Sequence, residues 1–129
     1  MRTAVIIEDD HLMATMLADL LEAEGIECTV FHTTDEAWNH CQSQMPDLLV
    51  FDWYVPGSRT CEEVLEHIRR SGINTRFICV SGCDELEIQH LSDNDFCIEF
   101  MPKPLHFEQF VSDVRGRMNT STKHFNDML

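Results

Sequence analysis

Short apolar runs alternate along this chain with longer stretches in which apolar residues recur every three or four positions, the signatures of buried strands and of helices with one inward face. The runs are Ala4-Val5-Ile6-Ile7, Cys28-Thr29-Val30-Phe31, Leu48-Leu49-Val50-Phe51, Phe77-Ile78-Cys79-Val80 and a fifth from Phe96 to Phe100. Helical spacing gathers Met13, Met16, Leu17, Leu20 and Leu21, then Ala37, Trp38 and Cys41, then Val64, Leu65 and Ile68, then Leu86, Ile88 and Leu91, and last Phe107, Phe110, Val111, Val114 and Met118.

Punctuation agrees with this division. Gly25 is placed to close the first helix, and Gly72 the third, as the residue after a C-cap. Thr33-x-x-Glu36 and Thr60-x-x-Glu63 read as capping boxes opening the second and third helices. Pro46 is expected to end the second helix, and Asp84 to cap the fourth. Leu48-Leu49-Val50-Phe51 is apolar on both faces, which suits a central strand covered by helices on each side. Five strands and five helices in alternation, joined by short connections, predict an α/β fold with right-handed crossovers: a doubly wound five-stranded parallel sheet in the order 2-1-3-4-5. The domain spans residues 3–118, and the polar residues 119–129 are expected to form a loose tail or the start of a linker.

Composition narrows the class. At 129 residues the chain fits one domain able to bury a core without disulfides or metal. Nine Lys and Arg against 23 Asp and Glu give a net charge of −14, which opposes direct binding to nucleic acid or an anionic membrane. No apolar stretch approaches a membrane span or a secretory leader, so the cytoplasm is the expected location. The six cysteines lack C-x-x-C spacing and are read as buried or incidental thiols.

The chemistry collects at the strand ends. Glu8-Asp9-Asp10, Asp52, Ser81-Gly82 and Lys103-Pro104 each follow an apolar run, and the carboxyl ends of the strands in an open parallel sheet are where ligands bind. Carboxylates gathered there would repel one another unless a cation joined them. An all-oxygen site suits Mg²⁺, whereas zinc would want Cys or His, and His11 is not expected to be a ligand. Asp52, at the end of the most buried strand, is placed to act as a nucleophile that forms an aspartyl phosphate. Lys103 could pair with phosphoryl oxygens and Ser81 could donate to one. Plainer roles exist for each alone: Asp9-Asp10 could start a helix, Asp52 could cap a turn, and Lys103 could be solvated. Their joint placement favours the phosphoryl site.

These residues resemble the receiver domain of two-component response regulators over roughly residues 3 to 118. The resemblance implies a flavodoxin-like receiver fold and a signalling switch rather than a metabolic enzyme, although such a domain catalyses its own phosphorylation and dephosphorylation. It implies that Asp52 takes a phosphoryl group from a phosphohistidine on a histidine kinase or histidine phosphotransfer protein, with Mg²⁺ required. Glu8 and Asp9 resemble the metal-binding acidic pair, Asp10 is a less certain third member, and the carbonyl of Tyr54 matches the backbone ligand. Ser81 and Phe100 match the switch pair, the backbone of Gly82 would contact the phosphoryl group, and Lys103-Pro104 resembles the family's cis peptide. The fourth predicted helix, fifth strand and fifth helix would form the face that meets a downstream protein. Tyr54 and Cys83 occupy positions that influence how water reaches the phosphoryl group. The chain departs from the pattern in having no glycine within Ser58-Arg59-Thr60-Cys61 and in placing Pro102 before Lys103.

Two other functions remain open at this point. One is a vestigial interaction module that keeps the fold without phosphorylation. The other is a small-molecule phosphatase acting through an aspartyl intermediate, although such enzymes often carry a second acid two positions past the nucleophile, where this chain has Tyr54.

Overall fold

The computed structural model describes residues 2–71, 74–82 and 98–127, with 119–127 described by their backbone. Strands β1 (Thr3–Ile7), β2 (Glu27–Phe31), β3 (Leu48–Phe51), β4 (Arg76–Ser81) and β5 (Ile98–Pro102) form one sheet in the order β2-β1-β3-β4-β5, and every neighbouring pair is parallel. The helices among the described residues are α1 (His11–Ala23), α2 (Thr34–His40), α3 (Cys61–Arg70) and α4 (Phe107–Asp127). Gly72, Cys83, Phe96, Cys97 and the predicted helix of Asp84, Leu86, Ile88 and Leu91 lie outside the described residues.

Side chains alternate across a strand, so the sheet feeds two apolar layers. Val5, Ile7, Leu49, Phe51, Phe77 and Cys79 pack with Ala37 and Cys41 from the α2 side and with Val64, Leu65 and Ile68 of α3. Ala4, Ile6, Leu48, Val50, Ile78 and Val80 face the other way, onto Leu17 and Leu21 of α1 and Phe110 and Val114 of α4. All four residues of β3 are buried, as its two-faced apolar sequence requires.

Most boundaries follow the sequence punctuation. Glu24 caps α1 and Gly25 follows it with φ +80°. Thr60 and Glu63 form a complete capping box at α3. At α2, Thr33 accepts from the Glu36 amide at 3.3 Å but its own hydroxyl donates to the Glu36 carboxylate at 2.9 Å, so the reciprocal half of the predicted box is not made.

Three expectations need correction. α2 stops at His40, well before Pro46, because bonds from Gln42 to Asn39 and from Ser43 to His40 tighten the chain into turns. β5 continues past Phe100 to Pro102, since it lies at the sheet edge, where a proline can be accommodated without breaking a central ladder. The expected loose tail is helical in backbone as far as Asp127; residues 119–127 contain no proline or glycine to stop it.

Candidate functional site

Backbone bonds just beyond the strands set the rim. The Glu8 amide donates to Phe31 O, the Asp52 amide to Ile7 O and the Lys103 amide to Ser81 O, each at 3.0 Å. The parallel ladders are thereby extended by one step, and the side chains of β1, β3, β4 and β5 ends come to one place. Glu8, Asp52 and Ser81 are buried there, while Asp9 is exposed.

Asp52 is the hub. Its Oδ1 accepts from the Ser81 hydroxyl at 2.8 Å and from the Tyr54 amide at 3.1 Å, and its Oδ2 accepts from Lys103 Nζ at 2.8 Å. Lys103 Nζ also donates to Glu8 Oε1 at 2.6 Å. Burial works against the Lys103 ammonium, yet its bonds to Asp52 and Glu8 outweigh it and hold its pKa above the usual lysine value. Burial pushes the Glu8 carboxyl up from its ordinary value, and the Asp52 charge adds to this against the opposing pull of Lys103.

Carboxylate oxygens of Glu8, Asp9 and Asp52 lie within 4.8 Å of one another, an arrangement that could hold a metal ion. The fit has a second, independent sign: Glu8 Oε2 is buried with no hydrogen-bond partner, an expensive state for a carboxylate oxygen unless something else satisfies it. Three carboxylates against one ammonium leave two surplus negative charges, and an all-oxygen set of that charge suits a hard divalent cation.

The other predicted residues are placed as follows. Asp10 is the N-cap of α1, accepting from the Met13 amide at 3.1 Å, which is the plainer of its two expected roles. Gly82 is exposed next to Ser81, and Phe100 is half-buried against the layer beneath α2 and α3. Tyr54 is 59% exposed. Lys103-Pro104 is cis, as expected. His11 stacks on His32, with ring centroids 3.8 Å apart.

Several contributors carry no pattern in sequence. His32 Nδ1 lies 2.8 Å from the Glu8 carbonyl, and the buried Cys61 thiol donates to the Asp52 carbonyl at 3.2 Å. Burial, helped by the Asp52 charge, pushes that thiol up to about 12, so it is an inert packing group. Where the family has a helix-start glycine, Thr60 serves as the N-cap with φ −84°. Positive φ falls instead at Gly57, φ +147°, whose missing Cβ makes room for Thr34.

A parallel five-stranded sheet whose carboxyl rim joins three acids, a hydroxyl and a lysine defines a receiver-type site. The family model for the response regulator receiver domain matches residues 4–115, and the chain belongs to that family, the signal-receiving domain of two-component systems. Among curated proteins it is 33% identical to the phosphate regulon transcriptional regulatory protein PhoB of Pseudomonas aeruginosa, over 89% of this chain and 51% of that protein. The chain spans about half or less of the length of the curated relatives it matches. Among solved structures, the receiver domain of Francisella response regulator 1452 superposes with TM-score 0.78 at 22% identity, covering 94% of this chain and 99% of that one. The non-phosphorylated HemR receiver domain from Leptospira biflexa does so with TM-score 0.78 at 21% identity, covering 91% and 94%.

Proposed function

We infer that this domain is a phosphorylation switch in which Asp52 accepts a phosphoryl group from a phosphohistidine on a histidine kinase or histidine phosphotransfer protein. The observation that carries the reading is the Asp52 carboxylate held by Ser81, Tyr54 N–H and Lys103 beside the unsatisfied Glu8 oxygen. An Asp52 carboxylate oxygen attacks phosphorus; the O–P bond forms as the P–N bond to the partner's imidazole breaks, and its electron pair returns to the imidazole nitrogen. Mg²⁺ held by Glu8, Asp9, Asp52 and the Tyr54 carbonyl would supply positive charge against the phosphoryl oxygens.

Lys103 stays protonated throughout and pairs with the incoming oxygens. The Ser81 hydroxyl and the Gly82 amide are the further donors. A phosphoryl group brings about two negative charges and three acceptors, so the Ser81 hydroxyl turns from Asp52 Oδ1 toward it and Phe100 follows inward. β5 and α4 then change the face offered to a downstream protein. The curated relatives are named as transcriptional regulators, which makes gene control the output this reading favours, exercised through protein contact rather than by nucleic acid binding of this acidic domain. The expected compartment is the cytoplasm; among the described residues no helix is long and apolar enough to cross a membrane.

Intact-mass spectrometry after incubation with a small phosphodonor tests the assignment. One Mg²⁺-dependent phosphoryl adduct is expected on wild type and none on Asp52→Asn. Absence of the adduct on folded wild type would favour the phosphorylation-independent interaction module.

A further inference from the structure

The loop from Trp53 to Thr60 leaves Asp52, carries Tyr54 and returns under the site through the Cys61 thiol, which bonds the Asp52 carbonyl. Four of its residues are fastened to a single neighbour, the first turn of α2. Pro56 O accepts from the Thr34 amide at 3.0 Å and Arg59 O accepts from the Thr34 hydroxyl at 2.5 Å. The Asp35 carboxylate takes the Ser58 amide at 2.9 Å, the Ser58 hydroxyl at 2.7 Å and the Arg59 amide at 3.3 Å. Gly57 presses on Thr34 where no Cβ could fit, and the Arg59 guanidinium lies 3.8 Å over the Trp38 ring.

We propose that Thr34, Asp35 and Trp38 are positioning residues: they clamp residues 56–59 and thereby hold Tyr54 against Asp52 in the geometry that binds a divalent cation. None of the three touches the acidic pocket residues in any bond described, so their influence runs through the loop. The Asp35 carboxyl is held below the usual carboxylate range, first by the Ser58 amide and then by its hydroxyl, in keeping with a charge-assisted anchor. A loop fixed before the cation arrives need not be ordered at the moment of binding, and groups that orient a metal's ligands from outside typically change affinity by about 10–100-fold when removed. The proposal rests on the receiver reading for its metal half; the clamping half stands on the loop alone.

The test compares wild type, Asp35→Ala and Asp35→Asn in the full chain. Amide hydrogen exchange at Ser58 and Arg59 reads the clamp, Mn²⁺ affinity by electron paramagnetic resonance reads the pocket, and urea unfolding checks the fold. In Asp35→Ala, exchange at those two amides should quicken about tenfold or more, the order of one lost hydrogen bond to a charge, and Mn²⁺ should bind about tenfold or more weakly. Asp35→Asn, which keeps an acceptor oxygen, should fall between. Unchanged exchange overturns the clamp, and quickened exchange with unchanged Mn²⁺ affinity overturns its control of the pocket. If Asp35→Ala is unfolded, Asp35→Asn is judged by the same two readouts and the same two outcomes. Wild type that binds no Mn²⁺ overturns the receiver reading and the metal half with it, while exchange at Ser58 and Arg59 still decides the clamp.

Discussion

Gly57→Ala is the sharpest perturbation of the loop over the site. An added Cβ would lie 2.0 Å from Thr34 Oγ1, 3.1 Å from Thr34 N and 3.2 Å from Thr34 Cβ, on a backbone at φ +147°. Holding a residue with a Cβ in such a conformation costs about 1–3 kcal/mol. Relief of the overlap must pull the Thr34 hydroxyl from Arg59 O or open the bond from Thr34 N to Pro56 O, each about 1 kcal/mol. The sum, about 2–4 kcal/mol, is a large part of a typical domain's ~5–15 kcal/mol, and for a chain of this length it lowers Tm by about 7–15 °C. Urea and thermal unfolding by circular dichroism on Gly57→Ala, Thr34→Ala and the double variant measure it. Thr34→Ala alone loses one hydroxyl bond, but in the double variant the worst overlap is absent, so the two costs should fall short of additivity by about 1–2 kcal/mol. A Gly57→Ala protein within about 1 kcal/mol of wild type, or strict additivity, would refute the steric account.

Metal linkage should appear as heat stability: Mg²⁺ at about 100 times its Kd adds about 2.7 kcal/mol, near 10 °C in Tm for a domain of this size, and Asp9→Asn should lose most of that gain; an equal rise in both proteins would remove Asp9 from the ligand set. Without metal, Glu8→Gln should become more stable than wild type as pH rises above 4.5, the carboxyl's ordinary value. The sign follows from the raised pKa: the group's contribution is full below 4.5 and is lost as pH climbs through the raised value. A difference that does not change with pH in urea titrations would contradict this. Tyr54→Ala should shorten the aspartyl-phosphate half-life severalfold if the ring screens the site from water, measured by decay of the phosphoryl adduct; an unchanged half-life ends that idea.

Strand order, the two-faced β3 and the convergence of Glu8, Asp52, Ser81 and Lys103 were all readable from sequence, because each depends on local period and on the rule that strand ends share a rim. Helix ends were less readable. Nothing in the apolar spacing separates helix from the turns after His40, and proline 102 reads as a loop unless the strand is known to lie at an edge. The Asp35 to Ser58 anchor joins residues 23 apart in different elements, and neither residue belongs to a pattern that pairs them. Thr33-Thr34-Asp35 looked like an ordinary helix start, yet two of its residues, Thr34 and Asp35, are spent on the neighbouring loop. Only Gly57 after Pro56 hinted at a backbone needing special room. The His32 contact to the Glu8 carbonyl was equally hidden, since it depends on where β2 delivers the residue that follows it.

Among the described residues, buried acids and a strained glycine gather along one edge of this molecule. Below the rim, among the described residues, both layers hold apolar side chains against a parallel sheet. At the rim, Glu8 and Asp52 are buried acids, Glu8 Oε2 lacks a partner and Gly57 holds a conformation closed to other residues. Natural sequences keep such violations where function requires them. A structural ion pair would need one carboxylate for Lys103, whereas this pocket gathers three. Burial, with a smaller contribution from the Asp52 charge, raises the Glu8 pKa and lowers the stability of the metal-free fold, a cost that a bound cation would offset. Glu8→Gln should therefore do two things at once: relieve the metal-free protein and remove most of its response to Mg²⁺. A role confined to packing would predict neither effect.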